Sequence, residues 1–172
     1  AAFSPDGSKI LTGAESGTVQ LWDAMTGAAI GPPLKHRQAV RHVSFSPDGK
    51  LVAVAYRDGM GQLQPLPQRT LRNGVVRIWN PRTGKLLASL SGHHGDVYQT
   101  AWSPNGKLLL TGGWDATARL WDVATGQQLT TSIPHERAVR AVCFAPDGQT
   151  FLTWNFNRLQ RWATPSSVTP KK

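Results

Sequence analysis

A short block of residues returns four times along this chain. An aromatic residue, Phe3, Phe45, Trp102 or Phe144, precedes a Ser/Ala-Pro-Asp/Asn-Gly tetrapeptide, and a tryptophan, Trp22, Trp79, Trp121 or Trp162, closes each copy. Successive tryptophans lie 57, 42 and 41 positions apart. The interval from aromatic to tryptophan is 19, 34, 19 and 18 residues, so the second copy carries an insertion of 15 residues. A unit this short cannot bury an apolar face by itself; it does so only by stacking on its neighbours. The 172 residues are thereby used up by one array, with no room for a second domain.

Within a copy, every punctuation mark has a physical reason. In Ser103-Pro104-Asn105-Gly106 the proline presets φ, the asparagine bonds its own backbone and the glycine takes positive φ. Ser4-Pro5-Asp6-Gly7, Ser46-Pro47-Asp48-Gly49 and Ala145-Pro146-Asp147-Gly148 repeat the device. The third copy, 90–125, predicts strands over 97–103, 108–112 and 117–121, with a turn at Asp115-Ala116. Val97, Thr100 and Trp102 break strict alternation, which predicts a bulge. Thr26-Gly27, Thr83-Gly84 and Thr125-Gly126 mark a further hairpin, followed by a fourth strand around 86–90 and 128–133. No window has sustained helical periodicity, so the chain reads as all-β, in four-stranded antiparallel meanders.

These motifs resemble the WD40 repeat family over about 165 residues, and more loosely the WD40 arrays of large bacterial multidomain proteins. The resemblance implies a β-propeller of four blades. It divides into repeats at about 1–30, 31–90, 91–132 and 133–165, with a flexible tail at 166–172. Since such propellers have about seven blades and neither end supplies a closing strand, an open-arc fragment of a larger ring is expected, and the start at Ala1 reads as a truncation. The resemblance also implies a buried hydrogen-bonded tetrad in each blade. His93, Thr111, Asp115 and Trp121 supply it fully in the third copy. The first copy keeps Thr12 and Trp22 with Ser16 at the Asp position. The second keeps His36, Asp58 and Trp79 with Val54 at the hydroxyl position, and the fourth keeps His135, Thr153 and Trp162 with Asn157 for Asp.

A histidine, a hydroxyl and a carboxylate together invite comparison with a catalytic triad, but recurrence at one blade position marks a structural network. No nucleophile is predicted. His42 and His94 lack partners at metal-ligand spacing, and Cys143, on an inner strand, is expected to be a small buried thiol. No phosphate loop or calcium loop is present, so no cofactor, metal or small-molecule substrate is expected and the chain reads as non-enzymatic. One cysteine excludes an internal disulfide framework, and no apolar run approaches the length of a membrane span. The expected compartment is the cytoplasm.

Nineteen Lys and Arg against ten Asp and Glu give a net charge of +9, spread over all four copies. This is a solvated basic surface rather than an aromatic-interleaved basic stripe, so nucleic acid ranks below protein as a partner. The resemblance implies a protein-interaction scaffold, its partner a protein or peptide of acidic character. A regulatory or substrate-docking portion of a larger bacterial enzyme, such as a serine/threonine kinase, is the alternative. The insertion at 60–73 contains no acidic residue and opens, by the resemblance, on the partner-binding rim. The residue before the Asp position, Glu15, Arg57, Trp114 or Phe156, recurs on that rim. Together with Arg69 and Arg72 from the insertion, Arg57, Trp114 and Phe156 form the candidate contact surface, with Trp114 read either as an exposed anchor or as packing between blades.

Overall fold

The computed structural model describes residues 1–36, 38–56 and 73–165. These form four antiparallel meanders with no helix among the described residues. Sheet one holds β1 (Ala2–Phe3), β2 (Lys9–Gly13), β3 (Thr18–Asp23) and β4 (Ala29–Lys35). Sheet two holds β5 (Val40–Phe45), β6 (Val52–Tyr56), β7 (Asn73–Asn80) and β8 (Lys85–His94). Sheet three holds β9 (Val97–Trp102), β10 (Leu108–Gly113), β11 (Thr117–Asp122) and β12 (Ile133–Pro134). Sheet four holds β13 (Val139–Phe144), β14 (Thr150–Asn155) and β15 (Arg158–Ala163), three strands among the described residues. Each sheet packs on the next and the fourth does not return to the first, giving an open arc of four blades.

The turns are formed as their residues dictate. Gly7, Gly49, Gly106 and Gly148 have φ of 68 to 70°, and Ser4, Ser46 and Ser103 each donate to the Asp or Asn two residues on at 2.6 to 2.7 Å. The aspartate after the tryptophan serves the next hairpin. Asp122 Oδ1 accepts from the Thr125 amide at 2.7 Å and its hydroxyl at 2.8 Å, and Asp23 does the same for Thr26. The registers shift between Val40 and His42, opposite Val97 and Gln99, and between Val139 and Ala141. One inner-strand bulge therefore recurs in three blades, at Arg41, Tyr98 and Arg140.

Two boundaries differ from the repeat count. β4 extends to Lys35, past the expected division at 30, because 29–35 pairs along β3. In the third blade the outer strand, expected over 128–133, reduces to a bridge from Gln128 to Trp121 and the pair Ile133–Pro134. Side-chain bonding displaces the ladder there: the Gln128 amide donates to the Thr130 carbonyl at 2.6 Å, and its oxygen accepts from Arg119 at 2.9 Å.

The core is not inside the sheets but between them. Leu11, Leu21 and Leu34 of sheet one meet Val43, Val52 and Val54 of sheet two. Ala53, Ile78 and Leu90 meet Val97, Leu109 and Trp121, and Leu110 and Leu120 meet Val139, Val142 and Phe151. Strands β6 and β10 are therefore buried on both faces, which is why Val-Ala-Val-Ala-Tyr and Leu-Leu-Leu-Thr-Gly-Gly read as continuous small and apolar runs. Cys143 is exposed rather than buried as expected. Val142 takes the face against sheet three, so the next residue turns to a side that no described sheet covers.

Candidate functional site: a buried clasp and an exposed rim

In a meander, first-to-second and third-to-fourth connections leave at one end of the sheet, and second-to-third connections leave at the other with the link to the next blade. Glu15, Trp114 and Phe156 stand on second-to-third turns, so they share an end with the histidine-bearing links. The turns dock on those links: the Trp114 amide donates to the Asp96 carbonyl at 2.8 Å.

Just beneath this end lies the third-blade tetrad. His93 Nδ1 is 3.0 Å from both Asp115 oxygens and Nε2 is 2.7 Å from Thr111 Oγ1, while Trp121 Nε1 donates to Thr111 Oγ1 at 2.9 Å. The carboxylate fixes the tautomer: Nδ1 carries the proton and Nε2 accepts from the threonine. Asp115 also accepts from the His94 amide at 2.8 Å and the Thr117 hydroxyl at 2.8 Å, with Arg119 Nη2 at 3.7 Å. Burial raises the Asp115 pKa, but the hydrogen bonds from His93, the His94 amide and Thr117 outweigh it and hold the carboxyl well below its usual range. Burial is also the larger influence on His93, which it keeps below its ordinary value against the pull of Asp115. There is no space for more atoms. A Cβ on Gly113 would lie 2.7 Å from His93 Nδ1 and 2.9 Å from Asp115 Oδ1. Thr111 is 0% and His93 1% exposed, so the hydroxyl faces no substrate and its proton is committed to the imidazole. The group joins structure, not chemistry.

The other copies complete the arrangement differently. Trp22 Nε1 donates to Thr12 Oγ1 at 2.8 Å, and Ser16 bonds Thr18 at 3.2 Å. In the fourth blade Trp162 donates to Thr153 at 2.9 Å and Thr153 lies 2.7 Å from His135 Nε2, but His135 Nδ1 is satisfied by the Ile133 carbonyl at 3.1 Å and not by Asn157. In the second blade Arg77 Nη1 sits 2.7 Å from His36 Nδ1, and Val54 offers no oxygen. His36 Nε2 and Trp79 Nε1 are buried with no hydrogen-bond partner among the described residues. Burial, with the Arg77 charge adding to it, lowers His36 to about 4. Asp58 lies outside the described residues.

On the rim itself, Trp114 is 56% and Phe156 54% exposed. Trp114 therefore lies at the surface and is not packed between blades, its ring resting against Gly95, where a Cβ would come within 3.0 Å of Cε3. Arg57, Arg69, Arg72 and residues 60–72 of the insertion at 60–73 lie outside the described residues. The bulge adds side chains that the repeat count passed over. The Arg140 guanidinium carbon stands 4.1 Å from the Tyr98 ring centre and 4.8 Å from that of Phe156, and Phe156 lies 6.4 Å from Trp154, itself 41% exposed. Arg41 binds Asp96 Oδ2 through Nε at 3.2 Å and Nη2 at 3.0 Å. The signal for all three was the residue following Val40, Val97 and Val139, where the alternation breaks.

Along the inner strands a polar ladder joins sheets two and three. Ser44 Oγ and His42 Nδ1 lie 2.8 and 3.1 Å from Thr100 Oγ1, and Trp102 Nε1 donates to Ser44 at 3.1 Å. Among the described residues no group of three or more His, Cys, Asp or Glu side chains is placed to hold a metal ion, and no helix is long and apolar enough to cross a membrane.

The family described as "WD domain, G-beta repeat" matches residues 1–23, 33–62, 84–122 and 126–153. The human protein "WD repeat and SOCS box-containing protein 1" is 29% identical over 112 residues, covering 64% of this chain and 23% of that protein. "Periodic tryptophan protein 2 homolog" of Dictyostelium discoideum is 28% identical over 145 residues, covering 66% of this chain and 16% of its own length. The homolog of the same name from Neurospora crassa reaches 54% identity over 43 residues, a quarter of this chain. The chain thus spans less than a quarter of the length of these relatives.

Proposed function

This chain belongs to the WD40 repeat family, and from that premise we propose that it is a non-catalytic protein-interaction scaffold whose contact surface is the rim bearing Trp114, Phe156 and Arg140. A WD40 array supports a scaffold role in general; the rim is the finer reading. It rests on one observation: two large aromatics, each more than half exposed, stand on held turns, Trp114 by its amide bond to the Asp96 carbonyl above the tetrad and Phe156 by the Asn155 carboxamide oxygen, which accepts from the Asn157 and Arg158 amides. Exposed aromatics and arginines on a rigid frame are the residue types that dominate binding energy, because they present area at little cost in side-chain freedom. The name of the human relative, which couples its repeats to a SOCS box, agrees with repeats that serve as one part of a larger assembly.

The test compares the wild type with Trp114→Ala/Phe156→Ala and with Met25→Ala, an exposed residue at the opposite end of the first blade. A protein captured by the wild type is purified and titrated against all three. Loss of affinity of at least about tenfold in the rim variant alone supports the reading. Equal affinity for all three overturns it.

A further inference from the structure

We infer that Arg140 is the specificity-determining residue of this rim and that its ligand is a carboxylate side chain in an acidic segment of a partner protein. The inference rests on the rim reading above and adds the chemistry of the partner.

The bulge lifts Arg140 out of the β13 ladder, and its side chain turns back across the seam to the Tyr98 ring of the preceding blade. Phe156, from the same blade, lies against it as well. Two aromatic rings thus hold a planar cation while leaving its in-plane N–H edge unengaged. Among the described residues Arg140 makes no hydrogen bond or ion pair, although Glu136 stands four residues away. What such an edge binds is already shown inside the molecule. Arg41 occupies the same bulge position in β5, and it takes a carboxylate oxygen of Asp96 through Nε and Nη2. Asp96 belongs to the chain; Arg140 has the same donors and no such acceptor. A carboxylate fits better than a phosphate dianion, because a single guanidinium brings one positive charge against the dianion's two negative ones. Trp154, Phe156 and Trp114 provide apolar surface for residues flanking the acid. This positions an acidic residue with apolar neighbours, not a polyacidic run.

The probe is an array of synthetic peptides in which Asp or Glu, flanked by Leu, Phe or Val, is paired position by position with Asn or Gln and with phosphoserine. Hits are titrated against the 172-residue chain, Arg140→Met, which keeps the apolar stem and removes the charge, and Lys50→Ala at the opposite end. Melting temperature is measured for each. Acid-containing peptides should bind, and either the amide exchange or Arg140→Met should weaken them at least about tenfold without a matching loss of folding, while Lys50→Ala leaves them unchanged. Equal binding of amide peptides, equal binding by Arg140→Met, or preference for phosphoserine overturns the carboxylate assignment while leaving the rim as a protein-binding surface. No binding by any peptide overturns the inference. If Arg140→Met unfolds, Arg140→Lys decides instead: retention of full affinity argues against bidentate recognition.

Discussion

The seam between sheets two and three and the seam between sheets one and two are built from equivalent positions, yet among the described residues one satisfies its buried polar groups and the other does not. In the first, a single threonine oxygen accepts from Trp121 while its hydroxyl proton serves His93, and Asp115 holds the other ring nitrogen. In the second, Val54 stands where Thr111 does, Arg77 has taken His36 Nδ1, and His36 Nε2 and Trp79 Nε1 are buried with no partner among the described residues. An arginine can only donate, so His36 is protonated on Nε2, and both groups without a partner among the described residues are donors that Val54 cannot serve. The second seam holds through its apolar contacts: Val54 is fully buried beside Leu11, Leu34 and Tyr56. A tetrad is therefore dispensable for packing two blades. What it adds is satisfaction of polar groups that the propeller buries in any case.

The largest effect expected from breaking this contrast is at Asp115. Asp115→Ala removes the acceptor of His93, the His94 amide and Thr117, and should cost about 3 kcal/mol in denaturant midpoint stability. A loss below about 0.5 kcal/mol would mean that the network carries nothing. Exchanging the hubs comes next. Thr111→Val should cost about 2 kcal/mol, whereas Val54→Thr, whose oxygen can accept from both His36 and Trp79, should stabilise by about 1 kcal/mol. If Val54→Thr destabilises instead, the two seams do not share a geometry.

Acid should separate the seams by window. His36, His93 and His135 are all held below the ordinary imidazole value, chiefly by burial. The unfolded chain therefore binds protons first, and stability present above about pH 6.5 falls as the pH drops, for His36 down to its value of about 4. Asp115 is depressed as well, so its contribution is complete above the usual carboxylate range and disappears only at more acidic pH. Stability measured from pH 7 to pH 4 should fall, and His36→Gln should make that slope shallower. An unchanged slope would show that the second-blade histidine is not protected. The smallest effect concerns the turn: Ala116 has φ of 58°, where the first blade has Gly17 at 84°. Ala116→Gly should stabilise by less than about 1 kcal/mol, the relief of a left-handed alanine offset by a more flexible unfolded chain.

Much of this was legible in the sequence because it is periodic. The turns, the double-faced central strands and the meander follow from residues that recur, and the inner-strand bulge follows from the interrupted alternation at Val97 and Thr100. What was not legible depends on neighbours. Val54 announces a missing oxygen, but not that Arg77 would reach His36. The exposure of Trp114 and of Cys143 depends on which faces adjoining sheets cover. Arg140 looked like one of nineteen scattered cations; only the bulge and the Tyr98 ring across the seam distinguish it.

Each tetrad histidine hangs from the end of one blade and bonds to the next: His93 closes β8 of sheet two, while Thr111 and Asp115 belong to the third copy. The clasp is thus a joint, and joints that differ in chemistry give an arc whose stiffness varies along its length. Between sheets two and three the tetrad is reinforced by the Ser44–Thr100 ladder and the Arg41–Asp96 pair, so hinge-like motion there is braced at three points. Tyr98 and Trp114 ride on the braced side. On the proposed rim, a partner meeting them would find side chains already in place, and little of the binding energy would be spent on quieting the frame beneath them.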